Sequence, residues 1–370
     1  MIVCVHEDRE RALAGVKLLI LSLRRHCGEV PVMVSSPSPP SRFRSWLQAQ
    51  RRVTLIDEPA FSGSGWNVKP SLLLRLLDSG EDDIIWLDSD IVCAGDFRPL
   101  VEGHGPATLV VSQAQYWDLY QGESLRTRLW GFEVGRAVSL VSTGILRVTP
   151  HHRDLLLAWQ HLLAAAPYRE AQERPLYERP IHMLGDQDVL TAILGSRRFA
   201  AIPVAYLKRG RDVAVTVGPA GYTIAERLRN LGRGLPRLIH CGGVRPWEAV
   251  ARGGSLVRRI KSYYDRLYLE LCPYTWVARQ FHGEIEEELV GVDVRTLPGR
   301  LSRALSFDEP SLQGLPLAVF HAAGKRAKRL LGLNPWPRSK VLAGLHANGA
   351  GEELLRSMHH EQSDKVGKLS

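Results

Sequence analysis

Short apolar runs alternate with amphipathic stretches at the start of the chain. Residues 2–5, 30–34 and 53–56 are apolar runs of the length and composition typical of buried strands. Between these runs, apolar residues recur at helical spacing over 13–23, and a second helix is predicted over 42–50. This strand–helix–strand–helix–strand order predicts an α/β fold with a mainly parallel sheet covered by helices.

The most informative stretch lies between residues 81 and 97. The apolar run 84–87 predicts a buried strand, which ends at Asp88-Ser89-Asp90. Alternate side chains of an extended chain share a face, so Asp88 and Asp90 are expected to point together. Converging carboxylates repel each other unless a divalent cation lies between them, and oxygen ligands suit Mg²⁺ and Mn²⁺. Asp-x-Asp triplets are also common in solvated turns, so the triplet alone leaves both interpretations open.

Further along the chain the pattern loosens, but several elements are still predicted. A strand is expected over 107–112, and Ser142-Thr143-Gly144 is expected to form a turn that leads into another strand. A helix is predicted over 155–165 and a strand over 199–204. A short strand over 237–239 leads directly into His240.

Polar residues stand at the ends of several predicted elements. Lys69 precedes the helical run 71–77, where it either holds an anion together with the helix amides or is simply solvated. Asp186-Gln187-Asp188 precedes a helix over 189–194, a position where acidic residues often serve only as caps. His240 is either a metal ligand or a core histidine.

Composition places the chain among ordinary globular proteins, with 45% hydrophobic and 24% charged residues. Its 370 residues suffice for one large or two medium domains. The five cysteines have no C-x-x-C spacing, which argues against a disulfide framework or a zinc ribbon and favours a reducing compartment. No apolar run approaches the roughly 18 residues of a membrane span, and the N-terminus does not resemble a signal peptide. The formal charge of +9 favours anionic partners.

The last third of the chain has a different character. A charged, aromatic-rich helix is predicted over 256–271. The segment 315–340 contains six Lys or Arg residues and no acidic residue, and Leu317, Phe320 and Leu331 share one helical face there. This pattern is typical of a basic helix at a membrane surface, and it also fits a helix that packs on the main domain with a wet basic face.

Four stretches in this order resemble the GT-A-fold glycosyltransferases, in particular the retaining, glycogenin- and galactosyltransferase-like group (family 8-like). They are Asn67-Val68-Lys69-Pro70, Asp88-Ser89-Asp90, Gly185-Asp186-Gln187-Asp188, and His240-x-x-Gly243 followed by Arg245-Pro246-Trp247. The resemblance covers roughly the first 250 residues. It implies a Rossmann-like catalytic domain that binds a nucleotide sugar over 1–250. A helical extension that associates with acceptor or membrane would follow over 251–345, and a polar tail over 346–370.

The resemblance also implies roles for individual residues. Asp88, Asp90 and His240 would hold Mn²⁺ (or Mg²⁺), and Asp186, Gln187 and Asp188 would be the catalytic residues that face the transferred sugar. The implied donor-binding residues are Val5, His6, Asn67, Lys69, Ser89, Thr143, Gly144, Gly243 and Arg245. The chain departs from the family pattern in one loop, which is one residue shorter after Gly243, and in having Arg245 where the family has lysine.

The implied activity is metal-dependent transfer of a hexose from a UDP-sugar to a glycan or lipid-linked acceptor, with retention. Such an enzyme would act in the cytoplasm, without nucleic acid partners, and would associate peripherally with the anionic inner face of a membrane. Two alternatives stay open. Asp88-Ser89-Asp90-Ile91-Val92 also fits a haloacid-dehalogenase-type phosphatase, with Asp88 as nucleophile and Asp90 as acid/base, although three strands precede it here. The second alternative is a non-catalytic module that binds sugar nucleotides.

Overall fold

The computed structural model describes residues 1–58, 65–114, 121–218, 221–248, 255–285, 293–306 and 309–331. Its strands are β1 Ile2–His6, β2 Val32–Ser35, β3 Val53–Ile56, β4 Ile84–Leu87, β5 Ile91–Cys93, β6 Leu109–Gln113, β7 Val141–Val148, β8 Val204–Leu207, β9 Val213–Val215 and β10 Leu238–His240. The helices of the first part of the chain are α1 Leu13–Cys27, α2 Ser41–Gln48, α3 Lys69–Asp78, α4 Leu125–Leu129, α5 Arg153–Ala164, α6 Ala166–Glu173, α7 Asp186–Gly195 and α8 Ile224–Asn230. Those of the last part are α9 Leu256–Leu271, α10 Pro273–Ala278, α11 His282–Ile285, α12 Leu297–Leu305 and α13 Leu315–Leu330.

Within the described residues, seven strands form the main sheet in the order β3-β2-β1-β4-β7-β6-β8. Strands β3, β2, β1 and β4 are parallel neighbours, and β7 is antiparallel to both β4 and β6. Helices α1, α2 and α3 connect the parallel strands, as parallel pairing requires. The predicted class, α/β with a mainly parallel sheet flanked by helices, is confirmed.

A second, three-stranded sheet has the order β5-β10-β9. Strand β5 follows β4 directly after the Asp88-Ser89-Asp90 turn and pairs antiparallel with β10, so that His240 faces Ile91. Strand β10 is in turn parallel to β9. This small sheet therefore joins a late segment of the chain to the end of β4.

Apolar side chains fill both faces of the main sheet. One face packs Trp86 and Leu72 against Trp159 and Leu190 of α5 and α7, and the other packs β1 and β4 against α1. A third cluster joins β10 to α10, where Tyr274 meets Trp247 edge-on with ring centroids 6.0 Å apart. The division of the chain near residue 250 stays a prediction, but α10 packs directly against the small sheet.

Two local predictions are wrong. Residues 199–204 were expected to form a strand, but 197–199 form a 3-10 turn and β8 begins at Val204, because the neighbouring strand β6 pairs from Pro203 onwards. The expected turn at Ser142-Thr143-Gly144 is instead the start of β7, where pairing with β6 outweighs the turn-forming composition. Sequence analysis also made no prediction for β9, α8 or α12.

Among the residues that the structure describes, every helix is too short or too polar to span a lipid bilayer. Helix α13 covers only the first part of the basic segment 315–340, since 332–340 lie outside the described residues. The predicted polar tail, 346–370, lies wholly outside them.

Candidate functional site

Two carboxylates lie in a tight turn between β4 and β5. The amide of Ile91 donates to the carbonyl oxygen of Asp88 at 3.0 Å, so Asp88-Ser89-Asp90 is a turn and not the extended segment expected from the sequence. The turn is fixed to β7, because the amide of Asp88 donates to the carbonyl oxygen of Gly144 at 2.9 Å. Asp90 is only 5% exposed. The two side chains converge because of this turn, and not because of strand alternation.

His240 joins the two carboxylates from the end of β10. Its Nε2 lies 3.2 Å from Oδ1 of Asp90. One ligand atom from each of Asp88, Asp90 and His240 falls within 4.8 Å of the others. The structure thus brings together the three residues that the resemblance assigned to a metal, which we call the carboxylate–histidine cluster.

The donor set of this cluster fits a divalent cation. Oδ1 of Asp90 is buried and makes no hydrogen bond, although it lies beside the His240 ring. Its ion-pair partner is Nε2 of His240, and a cation bound by both atoms would replace this pairing. Two carboxylate oxygens and one imidazole nitrogen suit Mn²⁺ better than Mg²⁺.

Electrostatics within the cluster are strong. Burial lowers the pKa of His240, but the charges of Asp90 and Asp88 outweigh burial, and the pKa is raised above its usual value. Burial raises the pKa of Asp90, but His240 and Arg245 outweigh it and hold this pKa far below its usual range. The site therefore keeps Asp90 ionised, as a metal ligand must be.

Arg245 binds the same carboxylate from the other side. Its Nε and Nη2 donate to Oδ2 of Asp90 at 3.1 and 2.8 Å, and its Nη1 donates to Glu248 at 3.1 Å. The sequence led us to expect a phosphate-binding side chain here. In this structure the guanidinium instead fixes the orientation of Asp90, which leaves Oδ1 directed at His240.

Lys69, the first residue of α3, is buried with 2% exposure. Its Nζ lies 3.2 Å from Oδ1 of Asp88 and 3.2 Å from Oδ2 of Asp186, and it donates to Oγ1 of Thr143 at 3.1 Å. Burial lowers the pKa of Lys69, but the carboxylates of Asp186 and Asp88 outweigh burial and raise it. The solvated-lysine interpretation is therefore wrong. Lys69 links the cluster to the start of α7.

The three polar residues at the start of α7 have different surroundings. Asp186 accepts a hydrogen bond from Oγ1 of Thr143 at 2.7 Å, next to Lys69. Asp188 is buried and accepts from Nε of Arg126 at 2.8 Å. Burial raises the pKa of Asp188 to about 6 in spite of Arg126. Gln187 is half-buried, so its side chain is the most accessible of the three.

Two glycines allow close packing around the cluster. A Cβ atom on Gly144 would lie 2.7 Å from Cε1 of His240 and 3.1 Å from Oδ2 of Asp88. A Cβ atom on Gly15 of α1 would overlap the carbonyl oxygen of Ser89 and lie 2.7 Å from the Trp247 ring. Gly144 was predicted as a donor-binding residue, whereas Gly15 was missed. The only sequence signal for Gly15 is that a glycine interrupts an apolar helical run.

The remaining predicted donor-binding residues make contacts within the protein. Nδ1 of His6, next to the buried Val5 at the end of β1, lies 2.9 Å from Oγ of Ser35. Ser89 donates to Glu7 at 2.6 Å, and Asn67 accepts from the hydroxyl of Tyr168 at 2.8 Å. A Cβ atom on Gly243 would lie 3.3 Å from the carbonyl oxygen of Thr216. The structure does not bring these side chains into the carboxylate–histidine cluster.

Sequence reasoning also missed several buried charged residues around the site. Glu7 is 2% exposed and is held by Arg9 and Ser89. Arg126 is 1% exposed and lies between Asp188 and Glu123. Arg9 and Glu123 are close to them in the sequence, but Ser89 and Asp188 are distant, so the sequence alone does not show that Glu7 and Arg126 are buried beside the site.

Comparison with known proteins gives glycosyltransferases as structural neighbours. A bifunctional glycosyltransferase, WbbM, is 17% identical over 67% of this chain and 46% of its own, with a TM-score of 0.45, so this chain spans about half of its length. The galactosyltransferase LgtC, solved with donor and acceptor sugar analogues, is 15% identical over 71% of this chain and 95% of its own, with a TM-score of 0.46. Mouse xyloside xylosyltransferase 1 is 14% identical over 65% of this chain and 97% of its own, with a TM-score of 0.39.

No protein-family model matches the sequence, and no curated protein sequence matches it either. Similarity at the level of these structural neighbours carries no conclusion about activity. The roles of the residues therefore have to come from the contacts of this chain.

Proposed function

We propose that this protein is a metal-dependent glycosyltransferase that moves a hexose from a UDP-sugar to an acceptor, with retention of anomeric configuration. The observation that carries the proposal is the convergence of Asp88, Asp90 and His240, with Lys69 and Asp186 directly beside them. The order of these motifs along the chain resembles that of GT-A-fold glycosyltransferases, and this resemblance supports sugar transfer as the reaction.

In this proposal Asp88, Asp90 and His240 hold Mn²⁺, or Mg²⁺. When bound, the cation would neutralise the negative charge that develops on the leaving diphosphate. Arg245 orients Asp90 by two hydrogen bonds to Oδ2. Charged groups that are held in place before the reaction need no reorganisation as charge develops, which is the usual source of electrostatic catalysis.

Lys69 holds Asp88 and Asp186 in place, because its ammonium group lies 3.2 Å from a carboxylate oxygen of each. Gln187 is the most accessible polar group of the α7 start, and we assign it to the sugar face. Asp186 adds a fixed negative charge near that face, and Asp188 anchors the helix through Arg126. We retain Val5, His6, Asn67, Ser89, Thr143, Gly144 and Gly243 as donor-side residues.

The phosphatase alternative fits the surroundings of Asp90 poorly. The side chain of Asp88, its nucleophile, is partly exposed, although Oδ1 accepts from Nε1 of Trp86 at 2.7 Å and lies against Lys69. Asp90, the acid/base of that alternative, is held ionised by Arg245 and His240. A general acid would need a raised pKa, not a lowered one.

The proposed partners are a UDP-sugar donor and a glycan or lipid-linked acceptor, as in polysaccharide biosynthesis. We place the protein in the cytoplasm, peripherally on the anionic inner face of a membrane. The support for this is the basic helix α13, whose Phe320 is 72% exposed and is followed by Lys325, Arg326 and Lys328. Leu317 of the same face packs against the third apolar cluster, so α13 contacts the domain with part of this face and exposes Phe320.

Release of UDP from a panel of UDP-sugars tests the proposal. The full chain is assayed with Mn²⁺, with EDTA, and with either a glycan or a lipid-linked acceptor. We expect Mn²⁺-dependent release of UDP from one sugar nucleotide, and NMR of the product linkage to show retention. A phosphatase would leave UDP-sugars intact, and a binding module would bind UDP without turnover; either result would contradict the proposal.

A further inference from the structure

The C-terminal helices expose an unusual share of the protein's large apolar side chains. Of the fifteen large hydrophobic residues that are exposed among the described residues, ten lie between Leu256 and Leu331. The other five are scattered over the rest of the fold. Single exposed apolar residues are ordinary, but a concentration of them marks an interaction surface.

Helix α12 shows this exposure of apolar side chains most clearly, because its apolar face points outward. Leu297, Leu301 and Leu305 recur every four residues, and so share one helical face. They are 66%, 55% and 69% exposed. We call these three residues the α12 leucine face.

The opposite face of α12 is buried although its side chains are small and mostly polar. It consists of Thr296, Gly299, Ser302 and Ser306. A helix normally buries its large apolar side chains, so this packing reverses the usual arrangement.

The reversed packing is fixed by a buried carboxylate on α9. Glu270 is 1% exposed and accepts hydrogen bonds from the amide and the hydroxyl group of Thr296, the N-cap of α12. A Cβ atom on Gly299 would overlap the same carboxylate. Rotating α12 to bury its leucines would leave Glu270 without these partners, at the cost of an unsatisfied buried charge.

The charges beside the leucines indicate which partner covers them. Residues 294–306 contain Arg295, Arg300 and Arg303 and no acidic residue. Protein–protein interfaces are depleted of charged residues at their centres, whereas helices at a bilayer surface combine an apolar stripe with flanking arginines. The first half of α9 has the same character, with Leu256 and Ile260 exposed beside Arg258 and Arg259.

We propose that the α12 leucine face docks the protein on an anionic lipid bilayer, with the leucines in the acyl boundary and Arg300, which flanks them, at the phosphate level. The inference rests on the membrane association proposed above and deepens it, since it names the surface that enters the lipid. It does not depend on the transferase activity.

Co-sedimentation of the full chain with vesicles tests this docking. We expect binding to phosphatidylcholine vesicles that contain phosphatidylglycerol, weaker binding at high salt, and little binding to phosphatidylcholine alone. The variant Leu297→Gln/Leu301→Gln/Leu305→Gln should lower the bound fraction at least about fivefold. The control, Val134→Gln/Leu176→Gln, changes two exposed apolar residues of the main domain and should bind like the wild type.

A second measurement does not depend on the stability of the triple variant. The five native cysteines are all buried, so a cysteine placed by Leu301→Cys can be labelled selectively with an environment-sensitive dye. Its emission should shift to the blue with anionic vesicles only. No shift, or equal binding by the triple glutamine variant, would overturn the α12 assignment.

Other outcomes distinguish a failure of the α12 docking proposal from a failure of the membrane association on which it rests. Absence of binding by the wild type would overturn the membrane association as well. A dye shift without lipid, together with elution as a dimer that the triple variant abolishes, would show that the face binds a second copy instead. UDP release is measured in parallel, so a failure of the transferase proposal is recognised separately.

Discussion

The carboxylate–histidine cluster and helix α12 both reverse the usual distribution of side chains, in opposite ways. Around the cluster, charged groups such as Lys69, Asp90 and Asp186 are buried; on α12, leucines are exposed. Each arrangement is costly by itself. Near the cluster most of the cost is offset inside the chain, because each buried charge has an opposite charge within hydrogen-bonding distance. For the α12 leucines the described residues provide no cover, and this exposure is the basis of the lipid-docking proposal.

One atom of the cluster belongs with the leucines in this comparison. Oδ1 of Asp90 is buried without a hydrogen bond, and a bound cation would replace its ion pair with His240. Buried charges that are hydrogen-bonded within the chain therefore indicate structure, whereas a buried oxygen without a hydrogen bond and uncovered leucines are candidates for external partners. The experiments below separate the two kinds of residue.

The largest effect is expected for Asp90→Asn. Loss of this charge removes a proposed metal ligand and the partner of Arg245 and His240. UDP release should fall by a factor on the order of 10²–10³ while the circular dichroism spectrum stays unchanged. Asp82→Asn, which alters an exposed acid just before β4, should be neutral. Undiminished turnover by Asp90→Asn would show that Asp90 is not part of the functional site.

Lys69→Met should affect stability as well as activity. It leaves Asp88 and Asp186 close together without the cation between them. Breaking a buried ion pair by removing one partner costs about 3–5 kcal/mol of unfolding free energy. Urea denaturation measures this loss, and Lys208→Met, an exposed lysine, is the matched control. Equal stability of both variants would mean that the carboxylates do not need Lys69.

Gly144→Ala should act on metal binding more than on the fold. The added methyl group would press on the His240 ring and on Asp88 and displace them. We expect Mn²⁺ affinity, measured calorimetrically, to fall about tenfold. Gly103→Ala, where no atom lies near the added methyl group, should leave the affinity unchanged. An unaffected affinity in Gly144→Ala would show that the ligand positions are not tightly constrained.

The smallest effect is expected for Arg245→Lys. Lysine keeps the charge but cannot donate to Asp90 and Glu248 in the same fixed geometry. Mn²⁺ affinity should weaken by about threefold to tenfold, and UDP affinity without metal should hardly change. Arg229→Lys, an exposed arginine, serves as control. The reverse pattern, with weaker UDP binding and normal Mn²⁺ binding, would show that Arg245 binds the phosphates of the donor instead.

Sequence alone was sufficient where the pattern is local. Strands β3 and β4 and helix α9 have the predicted bounds, because apolar runs and helical periodicity define them. The members of the cluster could be named from the order of motifs. Their convergence depends on the β5–β10 pairing, which joins segments that are far apart in the chain.

Other features had no local signal. The partners of Lys69 are Asp88 and Asp186, and only the folded sheet places these two residues side by side. For α12, no helix was predicted, and periodicity by itself does not show which face of a helix is buried. That choice depends on Glu270 of α9, a long-range contact.

Direct Mn²⁺ binding to the full chain, with and without His240, tests the central claim most simply. Free Mn²⁺ is followed by electron paramagnetic resonance for the wild type, His240→Ala and His151→Ala, an exposed histidine. We predict one Mn²⁺ site in the wild type, an affinity at least about tenfold weaker in His240→Ala, and no change in His151→Ala. Equal Mn²⁺ affinity in the wild type and His240→Ala, or no binding to either, would contradict a metal site built from Asp88, Asp90 and His240.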